Sequence, residues 1–387
     1  MDLLEARGHR TAVYASRHPE NLPSEYSDYF AEQEDYFDSS FWHKAKAAFK
    51  IVYSLEARKK CGKVMDLFKP DVLHAHNIFG QLSSSVLDAA KERNIPVVMT
   101  AHDYKLICPS YLMLDHGKIC EKCLGHRYYQ CFLTKCHKDS RIASAVFTAE
   151  AYFNLGFKKF DIVKTVICPS DFMRKKMLDR VPGEKLELIY YPVDALRISP
   201  GGYGQNQGYF LFTGRLSKEK GVGTLIRAFQ GLKKPLIIAG SGPLDSEYRR
   251  MAEDSPHIRF VGHQTGKALE DLYWGAYACV LPSEWYENLS VSGMEALSHG
   301  KPVIGSRIGG TPELVEDGVN GCLFETFNAA DLERKVLFLA GLSPSDYEGM
   351  CRKAQETALN RFSPEQHYER LMGVYQKAVA GTGTRDS

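Results

Sequence analysis

Residues 282–310 read PSEWYENLSVSGMEALSHGKPVIGSRIGG and follow the short apolar run at 278–281. That run predicts a buried strand, the residues after it a turn and a helix, and 302–306 a second strand. Strand, helix and strand within so few residues form the repeating unit of a doubly wound α/β fold. In open sheets of this kind ligands gather outside the carboxyl ends of the strands, which is where this stretch begins.

Two glutamates, Glu287 and Glu295, stand in it with seven residues between them. The helix is predicted to start near Asn288. The backbone N–H groups of Asn288, Leu289 and Ser290 would then point out of its N-terminus, a place suited to a diphosphate. Glu287 sits just ahead of the helix and Glu295 two turns along it. Each carboxylate can accept hydrogen bonds from hydroxyls at one end of an extended ligand. A lone glutamate pair is ordinarily a solvated helix face; the strand end and the surrounding glycines turn the reading towards a site.

Two further strand ends carry related signals. TGRLSKEKG at 213–221 places Gly214, Arg215 and Lys220 between a strand and a helix. Arginine offers a planar fork to phosphate oxygens and lysine a point charge. Exposed basic side chains are the plain alternative. AGSGP at 239–243 puts Gly240 where small residues let backbone approach a ligand.

Outward from these motifs the same rhythm recurs. Strands are predicted at 209–213, 235–239, 258–261, 278–281 and 302–306, with helices between them. The glycine-rich stretch SPGGYGQNQG at 199–208 reads as a linker. Before it, strands are predicted at 11–15, 71–76, 96–101 and 165–168, and helices at 41–68, 82–93 and about 140–162. Ser170 is placed to cap the next helix. The organisation predicted is a first domain over 1–198, a second over 209–362, and a tail helix from Ser363 returning to the first domain. Ser363, Pro364 and Gln366 form a capping box for that helix.

Composition bounds the class. The 387 residues carry a formal net charge of +2 and 44% hydrophobic residues. Residues 1–200 carry about +4 and the remainder about −2. So even a balance argues against nucleic acid as a partner. No run of about 18 apolar residues predicts a membrane span. The charged opening MDLLEARGHR is no secretory leader, which predicts a cytoplasmic protein with mostly reduced cysteines. The basic, aromatic stretch at 41–60 reads as a peripheral membrane contact or as an ordinary amphipathic helix.

Five of the ten cysteines lie between Cys108 and Cys136. Cys120, Cys123, Cys131 and Cys136 follow C-x2-C-x7-C-x4-C, a spacing open to a structural zinc site with four thiolates. An iron–sulfur cluster and a loop of free thiols are the alternatives. Four thiolates leave no open position, so no catalytic role is expected.

Taken together, GRL…EKG, AGSGP, EN-x6-EA and GKPVIGS-x-IGG, in that order, resemble the retaining glycosyltransferases of family 4, also called group 1. DVLHAHN, TAHDY and ICPSDFMRKK in the first half are similar to that family's acceptor domain. The resemblance implies the GT-B architecture, two Rossmann-like domains facing a cleft, and transfer from a UDP- or GDP-sugar without a metal. It implies that Glu287 holds the sugar hydroxyls and Glu295 the ribose. Arg215 and Lys220 would hold the diphosphate, Gly309 and Gly310 would lie near the donor, and His102 would face the sugar. The usual EGFG of the motif is Glu287-Asn288-Leu289-Ser290 here. At least one of His74 and His76 is expected to pack. The family implies a glycan or lipid-linked acceptor.

The family also opens with a strand and a Gly-rich turn ahead of the helix that ends in LLEARGH. This sequence begins inside that helix, so the first sheet is expected to lack a strand. A truncated, non-catalytic nucleotide-sugar-binding homologue is the alternative function. A dinucleotide-dependent oxidoreductase lacks its G-x-G-x-x-G here, and a nucleotide-sugar epimerase fits the motif order less well.

Overall fold

A computed structural model describes residues 1–33, 41–193, 203, 204 and 206–381. Half of the 199–208 linker lies outside the described residues. The chain divides into two compact units. One holds Met1–Pro169, Arg174–Ile189 and the chain from Tyr368; the other holds Ser170–Met173 and Tyr190–His367.

The first unit is built on four parallel strands: β1 (Leu73–His76), β2 (Val97–Thr100), β5 (Val163–Cys168) and β6 (Leu186–Leu188), in the order β1-β2-β5-β6. A two-stranded hairpin, β3 (Leu114–Asp115) with β4 (Lys118–Ile119), lies in the cysteine-rich insertion. β2 and β5 are buried almost throughout, as parallel strands covered on both faces must be. The C-terminal helix Pro364–Ala380 contributes Leu371, Val374 and Ala378 to a core with Val98, Ile167 and Ile189. Large aliphatic side chains buried this way each contribute about 1.5–3 kcal/mol.

Several local expectations are corrected here. Residues 11–15 join no strand of the sheet; their neighbourhood makes one isolated bridge, Ser16 with Ala31. The helix expected over 41–68 is two helices, Phe41–Val52 and Leu55–Phe68. Ser54 separates them because its hydroxyl accepts from the Ala57 N–H and starts the second. Ser170 does cap Asp171–Met177, accepting from the Met173 N–H at 3.1 Å. The tail's capping box closes on one side only. Ser363 Oγ accepts from the Gln366 N–H, but the Gln366 side chain donates to Asn360 O instead.

The second unit carries six parallel strands: β7 (Tyr209–Thr213), β8 (Leu236–Ala239), β9 (Ile258–Gly262), β10 (Ala276–Leu281), β11 (Val303–Ser306) and β12 (Gly321–Phe324). Their order is β12-β11-β10-β7-β8-β9. β12 was not among the predicted strands: Gly321, Cys322 and Leu323 make too short an apolar run to separate from a loop. The order reverses between β7 and β10, which makes the carboxyl ends of those two neighbours the switch point where such sheets bind ligands. Phe210, Phe212, Leu225, Phe229, Ile238 and Val280 anchor the core beneath it.

Candidate functional site

The switch point of the second unit gathers the glutamates, the basic residues and the glycines. Glu287 is 7% exposed. Its Oε2 accepts three hydrogen bonds: from Lys220 Nζ at 2.7 Å, Ser283 Oγ at 2.9 Å and Trp285 Nε1 at 3.1 Å. No such bond falls on Oε1 among the described residues, so a fixed carboxylate keeps one oxygen for another donor. Lys220 ends a 3₁₀ turn, Lys218–Lys220, and its ammonium lies 5.5 Å from the centre of the Trp285 ring.

The glycines make these contacts sterically feasible. Gly221 has φ +67°, and a Cβ there would lie 1.8 Å from Pro282 O. Gly309 has φ +58°. The Gly310 N–H donates to Glu287 O at 2.7 Å, and a Cβ on Gly310 would lie 1.8 Å from Asn288 O. Gly309 and Gly310 thus let the loop after β11 lie directly on the backbone of Glu287 and Asn288. Gly214 and Gly240 meet at the ends of β7 and β8, where a Cβ on Gly240 would lie 1.8 Å from Gly214 O.

The helix carrying Glu295 begins later than expected. It spans Val291–Ser298, with Ser290 as cap accepting from the Gly293 N–H at 3.2 Å. Asn288, Leu289 and Ser290 therefore precede the helix, because Ser290 out-competes them as the cap. All three are buried, and Asn288 Oδ1 accepts from Ser170 Oγ at 3.0 Å. Glu295 Oε2 accepts from Tyr273 OH at 2.9 Å, and that hydroxyl in turn bonds Thr213 Oγ1 at 2.8 Å. A short relay thus ties Glu295 to the end of β7. Burial pushes the Tyr273 hydroxyl well above its usual pKa, so it stays a donor. Arg215 is exposed, and its guanidinium makes no hydrogen bond or ion pair among the described residues.

Sequence reasoning missed Tyr273, Ser283, Trp285 and Glu284. Ser283, Glu284 and Trp285 lie inside the decisive stretch, but nothing in their spacing separates them from solvent-facing loop residues. Glu284 accepts from Thr224 Oγ1 at 2.5 Å, and burial raises its carboxyl pKa.

His102 belongs to the first unit and follows β2. Its Nε2 is 2.8 Å from Nδ1 of His76, the last residue of β1. It borders a small pocket with Asn77, Phe79, Asp103 and Lys105. Burial lowers the His102 pKa, which keeps the ring neutral near neutral pH. His74 is the packing histidine: Nδ1 bonds Tyr375 OH at 2.6 Å and Nε2 bonds Thr100 Oγ1 at 2.8 Å.

The cysteine cluster does not form the expected zinc set. Cys108, Cys120, Cys123 and Cys136 border one small pocket, and Cys131 Sγ lies 3.4 Å from Cys136 Sγ. Among the described residues, no group of three or more His, Cys, Asp or Glu side chains is placed to hold a metal ion. Cys136 instead pairs with Cys131, and Cys108 with Ser110 at 3.2 Å. No helix among the described residues is long and apolar enough to cross a membrane.

Known proteins resemble this chain in sequence and in fold. Residues 2–197 match the family described as Glycosyltransferase Family 4, and residues 207–341 the one described as Glycosyl transferases group 1. The chain is similar to a D-inositol 3-phosphate glycosyltransferase of Saccharomonospora viridis, 30% identical over 80% of this chain and 70% of that one. It is similar to spore coat protein SA of Bacillus subtilis, 25% identical over 56% of this chain and 66% of that one. Against other curated relatives it spans as little as 32% of their length. In fold it resembles a sucrose-phosphate synthase from Thermosynechococcus elongatus, with TM-score 0.71, 16% identity, and 98% of this chain and 92% of that one covered. The two Rossmann-like units and the match over 2–197 lead to one statement: the chain belongs to glycosyltransferase family 4.

Proposed function

We propose that this protein transfers a sugar from a UDP- or GDP-sugar to a hydroxyl acceptor with retention at the anomeric carbon, and without a metal for the transfer. One observation carries the reading. At the switch point, three donors hold Glu287 Oε2 and leave Oε1 for sugar hydroxyls. Lys220 of that trio and the nearby Arg215 supply positive charge for a leaving diphosphate. Glu295, fixed through Tyr273, takes the ribose hydroxyls.

Retention without an enzymic nucleophile follows from a front-side displacement. The acceptor oxygen bonds the anomeric carbon as the carbon–oxygen bond to the diphosphate breaks. The acceptor proton passes to the departing phosphate oxygen. The site's task is positioning and charge stabilisation; the resemblance carried by TAHDY assigns His102 a part in transfer. The acceptor class we infer is a glycan or lipid-linked precursor of a cell-surface polysaccharide or glycolipid, handled on the cytoplasmic side of a membrane. The sucrose-phosphate synthase likeness and a structure of Anabaena HepE "in complex with UDP-glucose" (TM-score 0.60, 18% identical, 82% of each chain covered) are in keeping with a donor-binding fold.

Thermal unfolding with UDP, GDP and their sugars tests the donor half. Saturating ligand at about 100 Kd should stabilise by about 2.7 kcal/mol. If neither nucleotide family shifts the transition, the donor assignment is wrong. If a nucleotide binds but no sugar is transferred or hydrolysed, the non-catalytic alternative stands.

A further inference from the structure

In the first unit, β1 and β2 run parallel with His76 beside Thr100. The chain leaves β2 through Ala101, and the turn brings His102 back over the end of β1. There its Nε2 meets His76 Nδ1 at 2.8 Å, with ring centres 5.1 Å apart. His76 is itself steadied from below. Its ring lies 4.1 Å from that of His74, whose two nitrogens are both hydrogen-bonded, to Tyr375 and Thr100. We propose that His76 is a positioning residue for His102: the imidazole–imidazole hydrogen bond holds the His102 ring in one orientation at the end of β2 and couples its tautomer to that of His76.

A bond between two ring nitrogens needs one N–H and one lone pair. Whichever nitrogen donates, the proton state at His102 Nε2 is set by its partner, and that dictates the opposite state at Nδ1 in the neutral ring. The tautomer of His102 is thereby tied to that of His76. Burial lowers the His102 pKa, in keeping with a neutral ring for which the tautomer matters. His74 cannot replace His76, since both its nitrogens are already used. This inference rests on the proposed part of His102 in transfer, but it also makes a claim about the ring itself.

The test uses the full chain with His76→Ala, His76→Gln, His76→Asn and His102→Ala, read by steady-state kinetics and by nitrogen-15 NMR of the histidine rings. An Asn side-chain amide can occupy the place of Nδ1, whereas Gln reaches the place of Nε2. The expected result is a kcat lower by roughly ten- to hundredfold for His76→Ala and His76→Gln, with donor KM within about threefold of the parent. His76→Asn should recover most of the rate. The tautomer balance of the His102 ring should change in His76→Ala. Full kcat in His76→Ala alongside an inactive His102→Ala overturns the proposal. So does a His76→Asn as slow as His76→Ala, which would mean the loss comes from ring packing on His74. If His102→Ala keeps full activity, the reading of His102 in transfer fails, and the NMR signature of His76→Ala decides: a changed His102 tautomer balance upholds the positioning contact, an unchanged one overturns it.

Discussion

Lys220 Nζ lies 2.7 Å from Glu287 Oε2, joining the turn after β7 to the loop after β10 across the switch point of the second unit. Residues 67 positions apart in sequence thus share one charge pair at the place where the fold binds ligands. Lys220→Ala removes a donor to the carboxylate and, on the proposed reading, a charge for the diphosphate. We expect kcat/KM to fall by about 10²–10³-fold, as for loss of one preorganised donor. Lys220→Arg should recover little, because a planar fork does not replace a point charge at this spacing. Initial rates with saturating acceptor check it; rates within threefold of the parent for Lys220→Ala would remove this pair from the transfer step.

Gly310→Ala should cost stability as well as activity. Its Cβ would lie 1.8 Å from Asn288 O, so the loop must leave the backbone of Glu287 and break the 2.7 Å bond to Glu287 O. About 1–3 kcal/mol of destabilisation is expected. Gly349→Ala is the control: it meets no atom within 4 Å in the helix Pro344–Arg361 and should be neutral or stabilising by up to about 1 kcal/mol. Urea unfolding of both variants separates a local clash from a general intolerance of the added methyl.

Tyr273→Phe keeps the ring and removes the hydroxyl between Thr213 and Glu295. Glu295 then loses its anchor to β7. We expect nucleotide affinity to weaken by about 1.5–3 kcal/mol, the range for a lost hydrogen bond to a charged group, with a smaller change in stability. Titration calorimetry with UDP and GDP measures it, and unchanged affinity would separate Glu295 from nucleotide binding.

Lys105 and Glu150 form a buried pair, 2.6 Å apart and 4% and 0% exposed. Burial is the main influence on Glu150 and raises its carboxyl pKa against the pull of Lys105. Lys105→Met strands that carboxyl and should cost about 3–5 kcal/mol. Lys105→Met with Glu150→Leu should restore much of the loss. A double variant no more stable than the single would show that the cost lies in packing against Phe147 rather than in the charge.

Cys136 should be the most reactive of the ten thiols. The hydrogen-bonded Sγ contact with Cys131, 3.4 Å long, lowers its pKa to about 6, and the same contact raises that of Cys131. The Cys131–Cys136 pair is expected to carry one thiolate at pH 7, and alkylation of Cys136 should slow as pH falls through about 6. Mass mapping after brief treatment with iodoacetamide at pH 5 and pH 7 checks this. Equal labelling at both values would contradict the assignment.

Local signals in the chain account for much of the second unit. The apolar runs at 209–213 and 278–281 became β7 and β10 because their order of turns and helices admits a parallel sheet. The pairing of Glu287 with Lys220 was not legible, because spacing along a chain says nothing about which strand ends become neighbours. The helix start shifted from Asn288 to Val291 because a capping hydroxyl, Ser290, outweighed the residues before it.

The sequence by itself determined the class: two α/β units, glycine-rich turns at strand ends, and acidic and basic residues placed on those turns. These are local properties, set by periodicity, turn chemistry and residue type. Tertiary structure alone decided the rest: the strand order that puts β7 beside β10, the three donors that leave Glu287 one oxygen, and the use of Gly309 and Gly310 as a seat for the Glu287 backbone. It also separated the cysteines into a thiol pair and neighbours where their spacing suggested a metal site. The reason is common to all of these. They depend on distances between residues far apart in the chain, and those distances exist only once the sheets have closed around their cores.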